Sequence, residues 1–233
     1  MANKLIKTHF LCEYNLFFIC YFFSSLVIIL SYALISNIAL SSFIDKILYA
    51  EELRNTFLVN YYNIILLMNG ILIVLLVPNK YKNNYEILLL SHYRRGFIFS
   101  TKFILTLFIF IFYNLLIITF STLIVQNSYL EIILSRFRES LVNILVFSLF
   151  LLIIAYFLNL ILETIIISLL PLIILIATTL IYNDHELVTI LNFMPLLYLQ
   201  NEELIFNNDI AVILILIALF SVGSFYLYIT KKL

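Results

Sequence analysis

Apolar runs of roughly twenty residues recur along this chain, the length a helix needs to cross about 30 Å of hydrocarbon. They fall at Leu16–Leu40, Phe57–Val77, Phe103–Val125, Leu141–Leu162, Ile165–Tyr182 and Ile210–Ile229. Inside hydrocarbon every backbone N–H and C=O must find an internal partner, which leaves only helices and closed barrels. Barrel strands alternate apolar and polar residues over about ten positions, and these runs do not. The expected fold class is all-α: a polytopic membrane helical bundle of six transmembrane helices. Composition agrees, because 64% of the 233 residues are hydrophobic and 11% charged, against about half and a quarter in a soluble domain. No soluble fold of this length could bury so much apolar surface, whereas lipid accepts it.

The stretch from Leu141 to Tyr182 is too long for one crossing, and Asn159, Glu163 and Thr164 form its polar cluster. A charge at the bilayer centre costs about 2.5–3.5 kcal/mol on insertion scales. A helical hairpin with Glu163 at the membrane surface avoids that cost, and Pro171 then distorts the fifth span. The first apolar run is too long for a signal-peptide core and lacks an A-x-A site, so it reads as a retained span. Residues 1–233 read as a single transmembrane domain, with no repeat, linker or soluble domain. Cys12 and Cys20 read as small packing residues. Gly70, Gly96 and Gly223 are the only glycines, so G-x-x-x-G crossings are absent and packing rests on Leu, Ile, Phe and Tyr.

Orientation follows Lys and Arg, which accumulate on cytoplasmic loops. With the N-terminus inside, inner segments carry nine (Lys4, Lys7, Lys80, Lys82, Arg94, Arg95, Lys102, Lys231, Lys232) and outer loops four (Lys46, Arg54, Arg136, Arg138). A multi-pass protein of the cell membrane with both termini cytoplasmic is expected.

Three non-spanning segments carry further information. Residues 1–15 place Ile6 and Phe10 on one face and Lys4, Lys7 and Thr8 largely on another, which fits an interfacial amphipathic helix. Residues 78–102 form the long cytoplasmic loop. Asn83 or Asn84 can cap a helix there, with Glu86 in the first turn, favoured by the helix dipole. Ile87 to Leu90 form a short apolar knob, Arg94, Arg95 and Gly96 end the element, and Lys102 opens span three. Such a knob on a basic loop suits a protein partner. Residues 183–209 are acidic at both ends, with an apolar middle broken by Pro195, and should form an outer segment that dips into the outer leaflet or packs on the other helices.

The order of these segments, and the run Tyr85-Glu86-Ile87-Leu88-Leu89-Leu90-Ser91 followed by Tyr93-Arg94-Arg95 and Lys102, resemble the permeases of the type-2 ABC exporter family. The layout matches over almost the whole chain, the detail over about twenty residues. His92-Tyr93 stand where the family usually has Pro, and only Gly96 remains of the glycines often found near the Lys. The resemblance implies a coupling helix at residues 84–92, contacting an ATP-binding cassette subunit through Ile87, Leu88 and Leu90, with Glu86, Arg94 and Arg95 fixing register. It implies a re-entrant segment before the last span. It also implies a second permease subunit, as a homodimer or heterodimer, and candidate path-lining residues Asn63, Asn69, Thr178 and Thr179. This chain has no G-x-x-x-x-G-K-[ST] segment, so no cofactor is expected on it; ATP and Mg belong to the partner, and the chain is not expected to be an enzyme. The polar groups within its spans are mild, so the expected cargo is amphipathic or hydrophobic: a membrane-active (antimicrobial) peptide or a lipid-linked molecule.

Other function classes find less in the residues. The histidines are His9, His92 and His185, with no H-E-x-x-H pair, and the topology puts His92 and His185 on opposite sides. Cys12 near His9 lacks an oriented base and an oxyanion hole, and Asp184-His185-Glu186 has no second cluster to complete a metal site. No metal site, catalytic residue or nucleic-acid partner is expected. A non-catalytic accessory or immunity protein that binds a partner in the membrane is the alternative.

Overall fold

The computed structural model describes residues 16–42, 47–77, 94–125, 131–162, 173 and 208–230. Five long helices account for nearly all of them: α1 (Leu16–Ser42), α2 (Ile47–Leu76), α3 (Arg95–Val125), α4 (Glu131–Leu162) and α5 (Asn208–Thr230). No strand occurs among the described residues. Four helices are long and apolar enough to cross a membrane, over Phe18–Ile35, Arg95–Ile124, Ile144–Leu162 and Ile213–Thr230. The described residues are thus all-helical, with the pattern of a multi-pass membrane protein.

Among the described residues that number is four, where the sequence predicts six over the whole chain. In α2 the apolar stretch is shorter, Asn63–Leu76, because the first half of the helix carries Glu51, Glu52, Arg54 and Asn60. The predicted fifth span lies outside the described residues except for the helical Ile173, as do the segments 1–15 and 183–207.

Helix ends differ from the predicted spans for a physical reason. α2 begins ten residues before Phe57 and α4 ten before Leu141. Apolarity marks what lies in lipid, but a helix continues past that zone because its hydrogen bonds are internal. α2 ends at Leu76, as expected from Pro78, which disfavours helix at the residue before it. α3 opens on Arg94, whose carbonyl accepts the amides of Phe97 and Ile98 at 3.0 and 3.1 Å. Arg94, Arg95 and Gly96 therefore start this helix rather than ending the preceding element. Lys102 lies about two turns inside it and is only 3% exposed.

Within its apolar stretch each helix is apolar on all faces, and the interior holds amide and hydroxyl groups among its Ile, Leu and Phe side chains. α3 turns Ile98, Phe99, Lys102, Thr106, Phe110, Tyr113, Asn114 and Ser121 inward, while Ile104, Phe108, Phe112, Leu115 and Leu123 face out. Outside, lipid solvates Ile and Phe without cost. Inside, hydroxyl and amide groups find partners that hydrocarbon cannot supply.

Pair contacts fix the helix directions. Tyr21 meets Met68 and Tyr32 meets Tyr61, so α1 and α2 are antiparallel. Tyr61 meets Ser121 and Asn69 meets Asn114, so α3 again opposes α2. Phe99 and Phe103 at the start of α3 lie against Tyr156 near the end of α4. Phe225 and Tyr228 near the end of α5 also lie against Phe99. Phe220 meets Phe150, and three residues further on Gly223 lies against Phe157, so α5 runs in the same direction as α4. The start of α1 and the end of α5 therefore lie at one end of the bundle.

Candidate functional site

Side-chain hydrogen bonds tie four helices together in a layer near the middle of the bundle. Asn69 of α2 donates through Nδ2 to Asn114 Oδ1 of α3 at 2.9 Å and to Ser148 Oγ of α4 at 3.2 Å. Asn114 donates its own Nδ2 to the Phe110 carbonyl at 3.1 Å. Beside this triad, Tyr113 donates to Ser25 Oγ of α1 at 2.8 Å, and Tyr21 of α1 to the Met68 carbonyl at 2.7 Å. Toward one end, Tyr61 and Ser121 share a hydrogen bond, with Tyr32 stacked on the Tyr61 ring at 6.1 Å. All hydrogen-bonding groups in this layer are neutral. In membrane proteins such bonds average about 0.6 kcal/mol each, so their effect is on geometry more than on affinity between helices: each bond fixes rotation and depth at once.

Two polar atoms stand outside this pairing. Asn69 Oδ1 and Asn63 Oδ1 are buried and have no hydrogen-bond partner. Asn69 is fully sealed, at 0% exposed.

At the other end of the bundle the contacts are aromatic. Phe99 stacks on Phe103 at 5.4 Å and meets Tyr156, Phe225 and Tyr228 at 5.8, 5.6 and 5.1 Å. Gly96 lies beneath Phe225 and Ile229, where a Cβ would make ordinary contact at 3.6–3.7 Å. The base of α3, where the chain arrives from residues 78–93, is thus clasped by α4 and α5. Lys102, Thr106 and Asn159 are the buried polar residues of α3 and α4 nearest this end.

No protein family, curated protein or solved structure matches the chain.

Of the residues singled out from sequence, Glu86, Ile87, Leu88, Leu90, Thr178 and Thr179 lie outside the described residues. Arg94 is exposed and Arg95 partly so, at the start of α3. Asn69 is at the centre of the triad, and Asn63 lies on the same helix, half-buried. Sequence reading picked out both asparagines but not their partners. Ser148 and Ser121 look like any span serine, and only the pairing of helices shows that they meet Asn69 and Tyr61.

Proposed function

We propose that this chain is the membrane-spanning permease subunit of an ABC exporter. It crosses the cell membrane six times with both termini in the cytoplasm, and pairs with a second permease, identical or related. Separate ATP-binding subunits, carrying ATP and Mg, supply the energy. The observation that carries the reading is the stretch from Tyr85 to Lys102: an acidic residue, a leucine run, an arginine pair and a lysine, placed where the chain enters α3. The clasped base of α3 is consistent with such a role, because a displacement applied to residues 84–92 would reach α3, α4 and α5 together. The cargo is amphipathic or hydrophobic, in keeping with an interior whose hydrogen-bonded layer is neutral and an exterior of Ile, Leu and Phe.

The test is co-expression with an ATPase encoded by the neighbouring gene, followed by co-purification and ATPase assay. A buried Leu side chain contributes about 1.5–3 kcal/mol, so Leu88→Ala with Leu90→Ala should weaken assembly at least about tenfold. A double variant that binds and stimulates the ATPase like the parent would overturn the assignment. A chain that binds one membrane partner and no ATPase would instead be an accessory or immunity protein.

A further inference from the structure

We propose that the junction of α2, α3 and α4 is an intramembrane hydration site. A single internal water there donates to Asn69 Oδ1 and accepts from the hydroxyl of Ser148. This assignment does not depend on the permease reading.

The orientation of the Asn69 amide follows from its neighbour. Asn114 commits its Nδ2 to the Phe110 carbonyl, so toward α2 it presents only Oδ1, an acceptor. Asn69 must answer with its donor, Nδ2, and does so at 2.9 Å. Rotating the amide by half a turn would set two oxygens against each other. Asn69 Oδ1 is therefore held away from Asn114, sealed from solvent and without a partner. Ser148 already accepts from Asn69 Nδ2 at 3.2 Å, and its own proton has no acceptor among the described residues. An unmatched acceptor and an unmatched donor thus sit on groups already in contact.

A buried amide oxygen left without a donor costs about 1–3 kcal/mol. Hydrocarbon cannot relieve that cost, since lipid tails hold no donors. The chemistry that fits is small, neutral and able both to donate and to accept, which describes water; buried waters typically join two to four such groups. A cation is disfavoured because the donors Asn69 Nδ2 and Asn114 Nδ2 share the junction. An anion is disfavoured by the orphan oxygen itself.

The experiment is water-edited solid-state NMR on the full chain in lipid bilayers, read at the Cβ carbons at mixing times short against the exchange of amide and hydroxyl protons. Polarisation from water should reach Asn69 and Ser148 several-fold faster than Leu72 and Ile73, which are equally sealed on the same bundle. Equal, slow build-up at all four would mean a dry junction and overturn the proposal. Ser148→Ala removes one of the two groups that hold the water while keeping the Asn69–Asn114 bond. It should slow the build-up at Asn69 toward that of Leu72. Unchanged build-up in that variant would show that Ser148 does not hold the water, and the assignment would fall.

Discussion

At the scale of single residues, the informative positions are those where the lipid-adapted pattern breaks. Gly223 is one. A Cβ built on it would stand 3.0 Å from Phe157 Cε2, closer than side chains normally tolerate, so the glycine is what lets the ring of α4 lie against α5. Gly223→Leu should destabilise the bundle by roughly 1–3 kcal/mol through overpacking, read as a lowered unfolding temperature in detergent. Adding Phe157→Ala should recover part of the loss, because the two changes share one contact. A loss that is simply the sum of both would refute this account of the contact. Lys102 is another break. It opens an apolar run in the sequence, yet α3 starts about two turns before it and its side chain is buried in the bundle.

Among the elements, α3 shows most clearly what the sequence can and cannot express. Its apolar run is plain in the sequence. Which face turns inward is not, because both faces are apolar and periodicity separates them poorly. The buried face becomes legible only in hindsight, through Thr106, Asn114 and Ser121 at helical spacing. The start of the helix was missed because Arg94, Arg95 and Gly96 resemble the end of an element, and the cap at Arg94 uses backbone alone. Phe99 and Phe108 illustrate the result: similar in sequence, yet 2% and 63% exposed. Phe99→Ala should cost about 3 kcal/mol, the usual range for emptying an aromatic site in a packed core, since four ring contacts are lost. Phe108→Ala, facing lipid, should change stability by less than about 0.5 kcal/mol, as surface substitutions commonly do. Thermal unfolding of the two variants in the same detergent checks the pair. Equal losses would mean that the faces of α3 have been assigned wrongly.

For the whole molecule, the charge bias and the helix directions bear on the same topology by independent routes. Lys82→Cys, in a chain lacking Cys12 and Cys20, should react with an impermeant thiol reagent only after the membrane is opened, and Glu202→Cys in intact cells. The reverse pattern would invert the orientation. The order of directions adds a constraint that uses no charges at all. The helices alternate from α1 to α4, yet α5 repeats the direction of α4. The start of α1 and the end of α5 thus stand at the same end of the bundle, with the start of α3 and the end of α4. A partner that bears on Leu16 and Thr230 together must approach from that end.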